Sequence, residues 1–259
     1  MALVKRADEI ERIRASGAIL AAALRETSGA VRAGATLLEL DAVAREAIER
    51  RGGIPAFLGY QPDGASRPFP GTLCASVNDV IVHGVPNGQR LIAGDIVKLD
   101  LGVKRDHYYA DAAVTIAVGS TAPEVKKLIR AAEEALFAGI LAARAGNTLG
   151  DIGYAIHAVI KKAGFNAARG LSGHGIGTRL HEEPSVLNVG EPGAGLKRRA
   201  GMVLAIEPMV SAGSGTIEQR ADESYKTADG SLSAHFEHTV LVTDEGGEVL
   251  TTSANHPHL

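Results

Sequence analysis

The chain has 259 residues, and its 27 lysines and arginines stand against 30 aspartates and glutamates, which leaves a net charge of −3. This balance disfavours a dedicated nucleic-acid-binding protein, which needs a basic patch, and an aromatic content of 4% leaves few rings for base stacking. The single cysteine, Cys74, excludes an internal disulfide, so we expect a reducing compartment, the cytoplasm. No apolar run approaches the roughly 20 residues that span a bilayer.

The first predicted element is an amphipathic helix over residues 8–32. Its apolar residues recur at helical spacing, as Ile10, Ile13, Leu20 and Leu24 show. Acidic residues precede the apolar stretch, whereas a secretory signal peptide begins with basic residues. We therefore interpret this segment as part of the mature fold.

A repeated hexapeptide predicts an internal duplication. Residues 32–37 (RAGATL) recur as residues 144–149 (RAGNTL), and the apolar stripe of the following helix recurs with the same offset. Each of these helices begins after a threonine, Thr36 or Thr148, with an acid three residues later, and each ends near a glycine. A similar capping box at residues 121–124 predicts the start of a further helix.

β-Rich segments follow each predicted helix pair. Residues 94–100 align with residues 201–207, and residues 111–114 align with residues 237–240. The offsets between these pairs differ, which indicates connecting loops of different length. The duplicated unit is therefore helix, helix and strands.

This repeat predicts the domain organisation. We expect one α+β domain over residues 1–259, with pseudo-twofold symmetry and approximate halves 8–120 and 121–250. The proline- and glycine-rich stretch 62–71 is predicted to form a surface loop within the first half. The basic run 197–199 is interpreted as a solvated loop.

Four acids fall at equivalent positions on strands that otherwise look buried, namely Asp100, Asp111, Glu207 and Glu237. A buried ionised carboxylate needs a partner or a metal ion. Four such groups at one site would raise each other's pKa values unless cations were present, and two divalent ions would balance their charge. His174 lies between glycines, which allow close approach of its ring to a ligand. Oxygen ligands with one imidazole suit Mn, Fe, Co or Zn in an open hydrolytic site.

His83 and His181 are candidates for proton transfer or for stabilising an oxyanion, although each could equally be a loop histidine satisfied by backbone. Glu182 and Glu183 are expected to be exposed loop acids. His238 is expected to be structural, since adjacent residues of a strand face opposite sides. No functional setting is predicted for the remaining histidines, which are His107, His157, His235, His256 and His258.

Five stretches carry a family resemblance: residues 76–86 (SVNDVIVHGVP), 173–177 (GHGIG), 181–184 (HEEP), 205–208 (AIEP) and 231–239 (SLSAHFEHT). On these motifs, and along nearly its whole length, the chain resembles the type I methionine aminopeptidases of the bacterial short form, in peptidase family M24. The resemblance implies the pita-bread fold, a pseudo-symmetric α+β arrangement in which two helix pairs cover an antiparallel sheet. That fold agrees with the duplication.

The resemblance also implies a dinuclear site for two divalent ions (Co, Mn, Fe or Zn), with the ligands Asp100, Asp111, His174, Glu207 and Glu237. Asp111 and Glu237 would bridge the ions, His174 and Glu207 would bind one of them, and Asp100 would bind the other. The family's monovalent cation is implied at Asn78, Val80 and Ser233.

The activity implied is cotranslational removal of the initiator methionine from nascent chains whose second residue is small. The resemblance further implies a monomer that acts near the ribosome and binds neither nucleic acid nor membranes. The substrate would contact His83 and His181, and the methionine pocket would include Tyr60 and Cys74. Three features depart from the family pattern: Phe57 is larger than usual, Leu180 stands where an aromatic residue is common, and the 62–71 segment looks expanded. A rebuilt pocket wall, with Phe57 part of it, is therefore expected.

As a mechanism, we expect Glu207 to accept a proton from the nucleophilic water and to pass it to the leaving amine. His181 would stabilise the oxyanion, and His83 would orient the scissile amide. Two alternatives remain. An X-Pro aminopeptidase or prolidase shares the fold and ligands but usually carries an additional N-terminal domain. A peptide-binding relative without metals would lack ligands, whereas all five are present here.

Overall fold

The computed structural model describes residues 3–252, so His256 and His258 lie outside the described residues. The helices in this range are α1 (Ala7–Ala30), α2 (Leu37–Glu49), α3 (Pro123–Ala142) and α4 (Leu149–Lys162). The strands in this range are β1 (Ile54–Pro55), β2 (Leu73–Val77), β3 (Val80–Val82), β4 (Ile96–Arg105), β5 (Tyr108–Ala117), β6 (Asn166–Ala167), β7 (Ser172–Gly175), β8 (Glu182–Leu187), β9 (Val203–Ile206), β10 (Met209–Ser211), β11 (Ile217–Gln219), β12 (Tyr225–Thr227), β13 (Ser233–His235), β14 (Glu237–Val242) and β15 (Gly247–Val249). None of these helices is long and apolar enough to cross a bilayer.

A nine-stranded sheet forms the centre of the molecule, with the order β1-β4-β5-β14-β9-β7-β8, and with β2 on β4 and β15 on β14. Its strand pairs are antiparallel. The central order β4-β5-β14-β9 is symmetric about the boundary between β5 and β14, as the aligned segments predict. Helices α1 and α2 pack on the first half of the sheet, and α3 and α4 pack on the second. The expected α+β arrangement is confirmed.

The helix termini follow local sequence chemistry. At the start of α2, the Thr36 N–H donates to the Glu39 carboxylate at 2.7 Å and the Glu39 N–H donates to the Thr36 hydroxyl at 3.1 Å, which is the predicted capping box. Thr148 and Asp151 make the corresponding contact at α4, with the Thr148 N–H 2.6 Å from the carboxylate. The capping box predicted at residues 121–124 is wrong, because Ala122 occupies the N-cap and Pro123 begins the helix.

The prediction that residues 197–199 form a solvated loop is wrong for Arg198, whose side chain is 1% exposed. Its Nη2 donates to the carbonyl oxygen of Ala142 at 2.8 Å, at the last residue of α3. The carbonyl groups at a helix C-terminus lack intrahelical partners, and this guanidinium satisfies one of them. Burial lowers the pKa of Arg198 to about 10, and the carboxylate of Asp151 opposes that fall.

Helix α1 runs close to the last described segment of the chain. Gly17 is buried where α1 meets Leu250, and a Cβ at residue 17 would overlap the carbonyl oxygen of Leu250. The backbones approach this closely only because residue 17 has no side chain. Gly29, near the end of the same helix, is exposed, and a Cβ there would meet nothing within 4 Å.

We expect Gly17→Ala to lower the free energy of unfolding by about 1–3 kcal/mol, because the added methyl group must push two backbones apart. Gly29→Ala is the matched control and should raise stability by up to about 1 kcal/mol, since alanine has the higher helix propensity. Urea unfolding of the two variants and the parent measures both effects. Equal stability of the two variants would contradict the proposed close packing.

Candidate active site

The strand register brings the four predicted carboxylates together. Asp100 lies in β4, Asp111 in β5, and Glu237 begins β14, while Glu207 directly follows β9. Asp111 is fixed to β14 because its N–H donates to the Thr239 hydroxyl at 2.9 Å, and that hydroxyl donates back to the Asp111 carbonyl at 2.8 Å. The exposed fraction is 8% at Asp100, 3% at Asp111 and 2% at Glu237. The carboxylates therefore share one largely buried place.

Three overlapping groups of the described side chains have metal-ligand spacing. One ligand atom each from Asp100, Asp111 and Glu237 lie within 4.8 Å of one another. The same holds for His174, Glu207 and Glu237, and for Asp111, His174 and His181. Three buried oxygens, one on each carboxylate of the first group, lack a hydrogen-bond partner. Buried acceptors without donors are costly unless a cation is present. The donor set therefore fits divalent cations, and Glu237 can serve both positions.

His174 is oriented for ligation by its own loop. Its Nδ1 lies 2.9 Å from the carbonyl oxygen of Gly175, and since a carbonyl only accepts, Nδ1 carries the proton. Nε2 is then the free lone pair, and it faces Asp111 Oδ2 at 4.0 Å and Glu207 Oε1 at 3.7 Å. A hydrogen bond of this kind fixes the tautomer of metal-binding imidazoles in many proteins.

The pKa values reflect the crowding of acids. Burial raises the pKa of Asp100 to about 7 and that of Glu207 to about 7. It raises the pKa of Asp111 and of Glu237 well above the usual range, and the neighbouring carboxylates add to both shifts. Without cations the cluster therefore retains protons at neutral pH, and binding of divalent ions would release them.

His83 and His181 lie at the mouth of the same pocket. The ring of His181 makes a 2.7 Å hydrogen bond through Nδ1 to the Tyr60 hydroxyl and packs edge-on against His174, with ring centroids 4.4 Å apart. His83 occupies the left-handed region at φ 59°. The surrounding protein lowers the pKa of both rings, and nearby histidines contribute to that lowering, so both are neutral at neutral pH.

Apolar and aromatic side chains line part of the pocket. Phe57, Tyr60, Cys74 and Leu180 all line it. Cys74 lies directly opposite Asp100 on the neighbouring strand, and burial raises the pKa of its thiol well above the usual value. Phe57 is 7% exposed and packs over Gly102, where a Cβ would lie 2.7 Å from its ring. The sheet accommodates the large residue because position 102 is glycine.

The expanded 62–71 segment is a surface loop, as predicted, and it also borders the pocket. Arg67 Nη2 donates to the carbonyl oxygen of Ala221 at 3.1 Å, and the Ser66 N–H donates to Glu223 Oε1 at 2.8 Å. The loop thereby joins the 221–223 segment, and the two segments together narrow the mouth.

Comparison with known proteins identifies the family of the chain. Residues 11–244 match metallopeptidase family M24. The chain belongs to this family. It is 43% identical to the methionine aminopeptidase of Aquifex aeolicus over 249 residues, covering 94% of this chain and 96% of that one. It is 44% identical to the methionine aminopeptidase of Clostridium perfringens over 252 residues, covering 97% and 99%.

Solved structures of M24 proteins agree with the fold. A methionine aminopeptidase from Thermotoga maritima superposes with a TM-score of 0.92 at 39% identity, covering 96% of this chain and 99% of that one. A prolidase from Pyrococcus furiosus gives a TM-score of 0.76 at 24% identity and is covered over 66% of its length, which shows a shared fold alone. The expected pita-bread fold is confirmed.

Sequence reasoning missed a further residue of this M24 site, His235. We expected no functional setting for it, and that expectation is wrong: its ring is 1% exposed, with Nε2 3.3 Å from Glu207 Oε2. The backbone of His235 is fixed by the Thr115 hydroxyl, which accepts its N–H at 2.8 Å and donates to its carbonyl at 2.7 Å. The spacing of two residues from Glu237 was the available signal.

Glu182 was expected to be an exposed loop acid, and that expectation is also wrong. It is 8% exposed and pairs with Lys5, with 2.6 Å between Nζ and Oε2. It also accepts the Arg179 N–H at 3.0 Å. Burial opposes ionisation, but these donors hold the pKa of Glu182 below its usual range. Glu183 is exposed as expected, and His238 is buried against Thr251, 2.8 Å from its hydroxyl.

The residues predicted for a monovalent cation lie together, beside the pocket rather than in it. Ser233 Oγ is 3.0 Å from the carbonyl oxygen of Asn78 and 3.2 Å from that of Val80. A fourth residue, Lys98, joins this group, since its Nζ donates to the Asn78 carbonyl at 2.7 Å. Burial lowers the pKa of Lys98 to about 7, and the charge of Asp79 opposes that fall.

We expect chelation of divalent ions to lower the thermal unfolding midpoint and Mn²⁺ or Co²⁺ to restore it, because cations relieve the repulsion of the acids only in the folded state. At a free metal concentration about 100 times the Kd, the gain is about 2.7 kcal/mol. Asp111→Asn should lose most of the gain, while Glu183→Gln, an exposed acid, should keep it. An unchanged midpoint of the parent protein with metal would contradict a cation site.

We expect Lys5→Met or Glu182→Leu alone to cost about 3 kcal/mol, because each leaves an uncompensated buried charge. The double variant should recover much of that loss. Because the pKa of Glu182 is lowered, the parent is more stable than Lys5→Met by the full amount at pH values above the usual glutamate pKa. This difference in stability declines as the pH falls from that value toward the lowered pKa. Denaturant unfolding across pH measures both effects, and additive losses in the double variant would contradict direct pairing.

Proposed function

We propose that this protein removes the N-terminal methionine from peptides and nascent proteins whose second residue is small. The observation that carries the proposal is the convergence of four carboxylates and His174 at the base of a pocket with an apolar wall. Relatives covering nearly the whole chain are named methionine aminopeptidases. The chain would act as one catalytic domain, residues 1–259, built from the halves 8–120 and 121–250.

Two divalent ions would occupy the site, with Asp111 and Glu237 between them, His174 and Glu207 on one ion, and Asp100 on the other. The overlapping groups of ligand atoms support this division, as do the unpartnered oxygens of Asp100, Asp111 and Glu237. When bound, such ions would lower the pKa of a coordinated water and polarise the scissile carbonyl. Co, Mn, Fe or Zn suits this donor set.

Glu207 would move the proton in the reaction. Its carboxylate is largely buried but lines the pocket, where it would lie within reach of a water bound there. It would take the proton of the attacking water and deliver it to the leaving amine. His235, 3.3 Å away, would limit the orientations open to that carboxylate.

The two mouth histidines would act on the substrate. His181, neutral and oriented by Tyr60, would donate a hydrogen bond to the oxyanion as the carbonyl carbon becomes tetrahedral. His83 would orient the scissile amide. The wall of Phe57, Tyr60 and Cys74 would receive the methionine side chain, whose flexible thioether adapts to apolar gaps.

The mouth would restrict the second residue. Arg67, Pro68, Asp222 and Glu223 all line the pocket, and with them in place we expect room for only a small side chain beside the scissile bond. The substrates would be nascent chains close to the ribosome in the cytoplasm, and the enzyme would work as a monomer without binding nucleic acid.

The decisive assay follows release of free methionine from Met-Ala-Ser by chelated protein reloaded with Mn²⁺ or Co²⁺, with X-Pro and Leu-Ala peptides in parallel. Metal-dependent cleavage of the methionyl peptide alone is the expected result. Cleavage confined to the X-Pro peptide would assign the protein to the prolidase type, whose solved members share this fold. No cleavage with either metal would favour a binding protein.

Glu207→Gln should remain folded and lose at least about 100-fold in kcat, because an amide cannot accept the proton of the attacking water. Glu183→Gln serves as the control, since Glu183 is exposed and does not line the pocket. Steady-state kinetics on the methionyl peptide measure the effect, with circular dichroism to verify folding. A fully active Glu207→Gln protein would remove this residue from the proton transfer.

A further inference from the structure

Lys98 lies where the monovalent cation of this family is implied. Its side chain is 1% exposed, and its Nζ is 2.7 Å from the carbonyl oxygen of Asn78, one of the three residues predicted to bind that cation. On the sheet, Lys98 is two residues before Asp100 on the same strand, so the two side chains share a face.

The Asn78 carbonyl is already fully used by donors of the protein. Besides Lys98 Nζ, it accepts the N–H of Ser233 at 3.1 Å, and the hydroxyl of Ser233 lies 3.0 Å away. The same hydroxyl is 3.2 Å from the carbonyl of Val80. A metal ion bound to these oxygens would have to displace these donors, because Nζ of Lys98 and the Ser233 hydroxyl already occupy the positions next to the Asn78 carbonyl.

The turn that presents this carbonyl is fixed independently of any ion. Asn78 adopts the left-handed region at φ 54°, and its side chain accepts the Ile96 N–H at 3.0 Å and donates to Asp95 at 2.9 Å. The turn is thus tied to the start of β4, the strand that carries Lys98. These two hydrogen bonds therefore hold the Asn78 carbonyl close to Nζ of Lys98.

We propose that the side-chain amine of Lys98 replaces the monovalent cation in this protein. In either protonation state, Nζ donates to the Asn78 carbonyl and fills the space next to it. The contact joins β4 to the 78–80 turn and, through Ser233, to β13, the strand that ends at His235 beside Glu207. Lys98 is therefore a positioning residue for the site, and it makes the fold independent of dissolved sodium or potassium.

The primary test compares thermal unfolding midpoints of chelated protein in KCl, NaCl and choline chloride at equal ionic strength. For the parent protein, the three salts should give the same midpoint. Lys98→Ala should unfold several degrees lower in choline chloride and recover in KCl or NaCl, because the variant opens the position to an ion. Lys98→Met should be destabilised without recovery, since methionine lacks the donor but fills the space.

Lys104→Met is the matched control, because Lys104 lies on the same strand and contacts the Tyr109 ring instead of a carbonyl. It should respond identically to all three salts. A parent protein that is stabilised by potassium or sodium over choline would overturn the proposal, because the ion would then bind beside Lys98. A Lys98→Ala protein as stable as the parent in choline would overturn it as well.

Sodium-23 NMR line broadening supplies a second readout, and on the parent protein it requires no variant to fold. Added potassium should leave the sodium linewidth of the parent unchanged, whereas Lys98→Ala should give a broader sodium resonance that potassium narrows. Specific broadening by the parent that potassium reverses would overturn the proposal. Neither measurement needs catalytic turnover, so their outcome is separate from that of the methionine-release assay.

Discussion

The constraint on which the rest of the structure depends is the burial of like charges in one place. Asp100, Asp111 and Glu237 are almost fully enclosed, and all three line the same pocket. A sheet can hold such a cluster of carboxylates only if cations neutralise it or if some of the acids are protonated. The raised pKa values of Asp111 and Glu237 describe the protonated cluster. The duplicated strands impose the crowding, since each half contributes two acids at matching positions.

A series of polar contacts around the carboxylates fixes the groups that would act on substrate. Gly175 orients His174, Tyr60 orients His181, and Thr115 fixes the backbone of His235. Further out, the buried pair of Lys5 and Glu182 secures the segment next to His181. Buried polar groups of this kind are stable only when they are satisfied, so each contact narrows the positions available to the reacting side chains.

The sequence was informative where local patterns repeat. The caps at Thr36 and Thr148, the doubled helix pair and the four strand acids could be predicted, because periodicity and equal offsets report local structure directly. Apart from the capping box at residues 121–124, the errors concern charged residues with distant partners. Arg198 binds a carbonyl 56 residues away and Glu182 a lysine 177 residues away, so neither pairing leaves a local signal. His235 was missed because its partner, Glu207, lies on a distant segment of the chain.

Phe57 and Gly102 form a coupled pair of positions. The ring of Phe57 occupies the space above residue 102, and Gly102 lies directly opposite Asp111 in the strand ladder. A side chain at residue 102 would thus press the pocket wall outward and displace a strand that supplies a carboxylate. A bulky residue at position 57 and a side chain at position 102 would therefore compete for the same space. Since Phe57 lines the pocket, the two positions together shape that wall.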